Sequence, residues 1–148
     1  MPRVKEIRCD NCGLPLPSGW GGRFYVSTSL GERIVCPHPG EFEHVAQVLG
    51  LSPDEKNDLL SEPKWHWGSS RKERRKRIKD AYDQRTGFLS DCFCEACGNT
   101  TSLNLDLDER VCGECGATCV YSVKEMCGRK CLRCNDGYFK EYETGVVS

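Results

Sequence analysis

The spacing of apolar residues predicts a hairpin and a helix near the start of the chain. Apolar and polar positions alternate over 24–28, and a turn at 29–32 leads to a return strand at 34–35. Apolar residues then recur every three or four positions over 42–49, which is the stripe of an amphipathic helix. Gly50 follows and predicts the end of that helix.

Two S-x-x-E patterns predict two more helices. The first, at 52–55, begins a short helix that Pro63 ends. The second, at 70–73, begins a helix of about 17 residues that ends near Gly87. The apolar side of this longer helix is predicted to consist of Ile78, Ala81, Tyr82 and Leu89.

The last third of the chain has the short alternating runs of β-strands. Three leucines alternate with polar residues over 103–107, which predicts a half-buried strand followed by an acidic turn. A second strand is predicted at 120–123, and Tyr138 and Tyr142 indicate a closing strand. Helices followed by short strands favour a small α+β fold.

Composition shows that this fold needs more than a hydrophobic core. The chain has 148 residues and is only 38% hydrophobic, with 12 cysteines included in that figure. A chain with so few aliphatic side chains needs metal or covalent cross-links. No secretory leader and no membrane-spanning run is evident, so we expect an intracellular protein, cytoplasmic or associated with the nucleoid or nucleus. Thiols in such a reducing compartment favour metal binding over disulfides.

Four C-x-x-C pairs carry most of the candidate metal chemistry. The first, Cys9–Cys12, precedes the predicted hairpin, and Cys36 and His38 follow it at the start of a helix. This order over 9–50 resembles a treble-clef zinc finger, and the resemblance implies a zinc site made of those four residues. The C-x-H spacing departs from the usual second pair, so His44 is the alternative to His38.

A C-x-x-C pair with its tight turn is called a zinc knuckle, and the second and third of these knuckles give the most specific motif. Cys94–Gly98 and Cys112–Gly116 have nearly the same sequence, and a predicted strand lies between them. The span 92–117 resembles a zinc ribbon, which implies that Cys94, Cys97, Cys112 and Cys115 hold one structural ion. Four thiolates close a tetrahedron and leave no position for a substrate.

The remaining cysteines predict a third site whose connectivity stays open. Cys131 and Cys134 form the fourth knuckle, and Cys119 and Cys127 are candidates to complete it. In a cross-braced alternative, Cys119 and Cys127 join the pair at 94–97, and the pair at 112–115 joins the pair at 131–134. Cys92 is left as a small buried hydrophobic residue. The expected total is two to three zinc ions.

Charge is concentrated in one segment. The net charge is −1, yet residues 65–90 carry eight basic and three acidic side chains. Basic groups at a helix N-terminus oppose the helix dipole, so they do not stabilise the helix, and phosphate contact would give them a use. Indoles beside them are suited to stacking on bases. The candidate nucleic-acid contacts are Trp65, Trp67, Arg71, Lys72, Arg74, Arg75, Lys76, Arg77 and Lys79.

The sequence therefore predicts a zinc-stabilised α+β protein with three parts. These are a treble-clef-like finger at 1–50, a helical linker with the basic helix at 51–90, and a zinc-ribbon-type module at 91–148. No catalytic motif is present, so we expect a non-catalytic adaptor that contacts DNA or RNA. Acidic segments on both sides leave open that the basic run is neutralised within the chain. A protein-interaction module and a thiol-based redox or chaperone switch are the alternative functions.

Overall fold

The computed structural model describes residues 3–16 and 21–147, and it confirms a small mixed α+β protein. Its elements are β1 (Arg3–Cys9), β2 (Gly22–Ser27), β3 (Arg33–Val35), α1 (Glu41–Leu49), α2 (Pro53–Leu60), α3 (Ser69–Arg85), β4 (Thr86–Cys94), β5 (Thr100–Leu103), β6 (Val120–Ser122), α4 (Val123–Met126) and β7 (Phe139–Val147). No helix in the described part of the chain combines the length and the apolar character needed to cross a membrane.

The chain forms two compact units that differ from the three predicted segments. The terminal unit combines Met1–Arg23 with Phe88–Ser148, and the central unit is Phe24–Gly87. The first knuckle therefore belongs to the same unit as the other three, and not with the hairpin and helix that follow it in sequence.

The terminal unit is built on two sets of antiparallel strands. Strands β1 and β7 pair with each other, with Cys9 opposite Phe139. Strand β4 pairs with both β5 and β6, so Cys92 faces Thr101 on one neighbour and Ser122 on the other. Two small cores result, which contain ligand-type cysteines together with apolar residues. The first consists of Ile7, Cys9, Leu16, Phe93, Val123, Met126, Cys131 and Phe139; the second consists of Cys92, Cys94, Cys112 and Val120.

The central unit confirms the predicted hairpin and the helix after it. Strands β2 and β3 pair antiparallel with Tyr25 opposite Val35. Helix α1 ends at Gly50, whose left-handed backbone favours glycine. Val26 and Val45 are fully buried in the core between the hairpin and α1.

One of the two predicted capping boxes is present. The Ser52 hydroxyl accepts from the backbone N–H of Glu55, and the Glu55 carboxylate accepts from the backbone N–H of Ser52. Helix α3 has the predicted length of 17 residues, but it begins after Gly68 without a side-chain cap. The box predicted at 70–73 is therefore wrong.

Helix α3 ends within two residues of the predicted stop, but Gly87 does not cap it. The helix stops at Arg85, and the Thr86 hydroxyl donates to the carbonyl of Tyr82 at 2.7 Å, which satisfies one free carbonyl of the last turn. Gly87 and Leu89 lie in β4, because the chain passes directly from helix into strand. Leu89 therefore does not extend the apolar side of the helix.

The strand predicted at 103–107 is observed at 100–103 instead. Strand β5 ends at Leu103, and the next residues form a turn stabilised by side chains. The Asn104 side-chain oxygen accepts from the backbone N–H of Asp106 at 3.0 Å, and the Asp108 carboxylate accepts from the backbone N–H of Asn104 at 2.9 Å. Asn and Asp favour such turns over strands, and here they outweigh the alternation of leucines.

Candidate metal centres and basic helix

Two groups of four cysteines could each hold a metal ion, and both lie in the terminal unit. Site 1 contains Cys9, Cys12, Cys131 and Cys134, and site 2 contains Cys94, Cys97, Cys112 and Cys115. Within each group all four sulfur atoms lie within 4.8 Å of one another. All twelve cysteines are free thiols, so no disulfide accounts for this clustering.

The sulfur positions fit a tetrahedral ion. Across site 1 the Sγ–Sγ distances are 3.7 Å for Cys9–Cys134 and 3.5 Å for Cys12–Cys131. Across site 2 the distances for Cys94–Cys115 and Cys97–Cys112 are both 3.6 Å. A tetrahedron with metal–sulfur bonds of about 2.3 Å has edges of about 3.8 Å. A tetrathiolate of this shape suits zinc or a single iron.

Site 1 joins the two ends of the chain. Its first knuckle begins at Cys9, the last residue of β1. Its second knuckle precedes β7, which pairs with β1. The backbone N–H of Asp10 donates to the Tyr138 carbonyl at 3.0 Å, and the Tyr138 N–H donates to the Asp10 carboxylate at 2.9 Å. These reciprocal bonds fix the two knuckles against each other, and the Tyr138 N–H is the main reason that the pKa of Asp10 is lowered.

Close packing at site 1 requires a glycine. A Cβ atom on Gly137 would lie 2.5 Å from the Cys9 sulfur and 2.6 Å from the Asn11 Cβ. No larger residue fits there without moving the first knuckle. The Gly137 carbonyl also accepts from the Cys131 N–H at 2.8 Å, which closes the second knuckle.

Backbone N–H groups surround the thiols and prepare them for a cation. The backbone N–H groups of Asn11 and Cys12 both donate to the Cys9 sulfur at 3.4 Å. The Gly137 N–H donates to the Cys134 sulfur at the same distance. Such donors stabilise a thiolate over a thiol, and metal binding requires the thiolate.

The pKa values of Cys94 and Cys134 show the same effect. The backbone N–H of Cys97 lowers the pKa of Cys94 to about 6. Those of Asp136 and Gly137 lower the pKa of Cys134 to about 6. Burial raises the pKa of Cys131 to about 11, so this thiol binds as a thiolate only when a cation compensates its charge.

A left-handed residue follows each knuckle. Gly13, Gly98 and Gly116 all have φ of 75°. In each case the glycine N–H donates to the carbonyl of the first cysteine, at 2.8–3.1 Å. In the fourth knuckle Asn135 stands in this position with φ of 57°, and it is the only non-glycine residue with positive φ in the described part of the chain. Asparagine is among the few other residues that tolerate this conformation.

This backbone requirement predicts the effect of substitutions in site 2. We expect Gly116→Ala to lower the free energy of unfolding of the metal-loaded protein by about 1 kcal/mol, because alanine is strained at positive φ. Gly113→Ala is the matched control, because Gly113 lies in the same knuckle but has a negative φ. An added Cβ atom meets nothing within 4 Å at either glycine. Guanidinium unfolding measures both. Equal effects of the two substitutions would show that φ is not the cause.

The ligand set predicted for the first knuckle is corrected. Cys9 and Cys12 lie with Cys131 and Cys134, and within the described residues neither Cys36 nor His38 belongs to a group that could hold a metal. Cys36 is buried in the core of the central unit, where burial raises its thiol pKa. The His38 ring is exposed and contacts the Glu41 carboxylate.

The alternative ligand His44 belongs to neither group. It lies on α1, and its Nε2 atom is buried without a hydrogen-bond partner.

Cys119 and Cys127 do not complete the fourth knuckle. Cys119 packs against the second core of the terminal unit, and Cys127 is exposed at the end of α4. Among the described residues, neither belongs to a group that could hold a metal ion, so the cross-braced alternative is also wrong. Cys92 is fully buried, as expected for a thiol that acts as a small hydrophobic residue.

Part of the basic helix is neutralised within the central unit. The Asp58 carboxylate on α2 is buried, and it contacts the guanidinium groups of Arg71, at 2.8 Å, and Arg74. These hydrogen bonds, that of Arg74 first, hold the pKa of Asp58 below its usual range. Arg75 donates to the backbone carbonyls of Asp58 and Ser61 at 3.0 and 2.8 Å. Three of the seven basic residues therefore pack α3 on α2, although no apolar residue precedes Ile78 in this half of the helix.

The other basic side chains remain exposed. Lys72, Lys76 and Lys79 are spaced four and three residues apart, so they share one stripe of α3. Lys79 pairs with Asp83 at 2.8 Å. Within the described residues, Lys72, Lys76 and the exposed Arg77 form no ion pair.

The two tryptophans before α3 have different environments. The Trp67 side chain is buried, and the Arg71 guanidinium lies 3.7 Å from the centre of its ring. Trp65 is 92% exposed. Trp67 therefore belongs to the packing of the central unit, and only Trp65 is accessible to a ligand.

Comparison with known proteins does not place the chain in a family. No protein-family model, curated protein or solved structure matches it significantly. The chemistry of the protein is therefore inferred from its own residues, which provide two tetracysteine groups and one exposed basic stripe.

Proposed function

We propose that the protein is a non-catalytic, zinc-stabilised adaptor that contacts nucleic acid through the exposed stripe of α3. The observation that carries the proposal is the division of the helix into two faces. Arg71, Arg74 and Arg75 are used within the chain, whereas Lys72 and Lys76 point into solvent without an acidic partner among the described residues. Exposed cations on a rigid helix are suited to phosphate contact.

The ligand sets of the two tetracysteine groups support a structural role for the proposed zinc ions. Four thiolates occupy every position of a tetrahedral ion, so neither ion would have an open position at which to activate water or substrate. Site 2 has one knuckle on each side of β5, which supports the resemblance to a zinc ribbon. Two ions per chain are expected, at the lower end of the range predicted from the sequence.

Charge reversal tests the contact with nucleic acid. We expect Lys72→Glu with Lys76→Glu to weaken binding to a mixed-sequence oligonucleotide at least about tenfold at low salt, because two phosphate contacts become repulsive. The dependence of log K on log salt should become shallower by about 1.4–1.8, which corresponds to two lost contacts. Fluorescence anisotropy at several salt concentrations measures both.

A matched control separates this contact from net charge. Lys124 and Lys130 are exposed in the terminal unit, and their reversal to glutamate changes the net charge equally. That variant should keep wild-type affinity and slope. Equal losses in the two double variants, or no salt-dependent binding by the wild type, would contradict the proposal.

A further inference from the structure

We propose that Trp65 is a stacking platform for an unpaired base, so that the nucleic acid bound at α3 is single-stranded there. This inference rests on the proposed function, and it adds the class of nucleic acid and the residue that selects it. The turn that precedes α3 is the relevant feature, because Trp67 is buried there and Trp65 is exposed.

The turn is built to display Trp65. The backbone N–H of Trp67 donates to the Lys64 carbonyl at 3.0 Å, which places Trp65 and His66 at the tip. The buried Trp67 ring and the Arg71 guanidinium stacked on it anchor the turn to the first turns of α3. The tip is therefore held by packing, and the exposure of Trp65 is fixed by the fold.

The Trp65 ring has faces available for a ligand. The His66 ring meets it at 85°, with the two centroids 5.5 Å apart, so the two rings are not stacked face to face. An exposed indole of this size gains nothing from the hydrophobic core. A base stacked on it would remove apolar area from water on both partners.

The charges near Trp65 favour a polyanion over an apolar partner. Lys64 precedes it in the turn, and the exposed Lys72 and Lys76 follow on the first turns of α3. An aromatic ring beside a row of cations is the arrangement that binds single strands, in which cations follow the phosphates and the ring takes a base. In a duplex each base is already stacked on both faces, so an indole reaches one only after the base is extruded.

Oligonucleotide binding by three variants tests this inference. Fluorescence anisotropy is measured with a labelled single strand, as oligo(dT) and as oligo(rU), and with a blunt DNA duplex of the same length. We expect Trp65→Ala to weaken single-strand binding at least about fivefold and duplex binding less than twofold. Trp65→Phe, which keeps a ring, should restore most of the affinity. Leu30→Ala removes an equally exposed apolar side chain of the central unit and should have no effect.

The outcomes distinguish this inference from the proposed function. If Trp65→Ala leaves single-strand binding unchanged, or weakens duplex binding equally, while reversal of Lys72 and Lys76 still weakens binding at least about tenfold, the stacking role is wrong and the basic contact stands. If the wild type binds none of the three oligonucleotides in a salt-dependent way, both proposals are wrong.

Discussion

Replacing Cys131 and Cys134 by serine should destabilise the protein more than replacing Cys112 and Cys115. Cys12 and Cys131 are 119 positions apart, whereas Cys97 and Cys112 are 15 positions apart. Closing the longer loop removes more conformational freedom from the unfolded chain, by about 2 kcal/mol. Site 1 also holds the pair β1–β7, and an isolated two-stranded sheet is marginal in water.

Thermal unfolding of the metal-loaded variants measures this difference. Each double variant should lose one ion, which native mass spectrometry detects, and the site 1 variant should have the lower Tm. The matched control replaces Cys119 and Cys127, which lie outside both groups and should leave the metal count unchanged. Equal Tm values for the site 1 and site 2 variants would contradict the argument from loop length.

The knuckles themselves could be predicted because their signal is local. Two cysteines three positions apart, followed by glycine, describe a tight turn whose last residue has positive φ, and Gly13, Gly98 and Gly116 all have this conformation. The hairpin, the helix stripe over 42–49 and the cap at Ser52 are local in the same sense, and the structure confirms them. Each depends on contacts within about a dozen residues.

The pairing of knuckles could not be predicted from spacing. Cys9 and Cys12 meet Cys131 and Cys134 only because β1 and β7 pair, and no local pattern specifies a contact between the two ends of a chain. One signal was available. Four similar C-x-x-C units divide into two complete sites, which leaves Cys36, Cys92, Cys119 and Cys127 without the paired spacing that the eight ligands share.

Which basic side chains of α3 are buried and which are exposed depends on Asp58, a residue that the sequence pattern does not single out. Seven basic residues between positions 71 and 79 predict a solvated helix, but the buried Asp58 on α2 fixes Arg71 and Arg74. A carboxylate is rarely buried unless cations pair with it, so its burial is a property of the packed helices and not of the sequence of α2.

Removal of the metal ions should unfold the terminal unit and leave the helices of the central unit formed. We expect two zinc ions per chain, and structural zinc sites contribute about 10–16 kcal/mol in peptides. That is as large as the net stability of a typical domain, about 5–15 kcal/mol. Both cores of the terminal unit contain ligand cysteines, whereas the core of the central unit contains Val26, Cys36 and Val45 and no tetracysteine group among the described residues.

Hydrogen exchange measured by mass spectrometry on the full chain, before and after chelation, tests this expectation. Amides of β1, β4 and β7 should lose their protection, while those of α1 and α3 keep it and the helical circular dichroism signal persists. Added zinc should restore the lost protection, which excludes irreversible oxidation of the thiols as its cause. Loss of protection in α3 at the same chelator concentration would mean that the central unit depends on the metals too. Unchanged protection of β1 and β7 would mean that site 1 does not stabilise the pairing of the chain ends, since the two strands would then hold together without their ion.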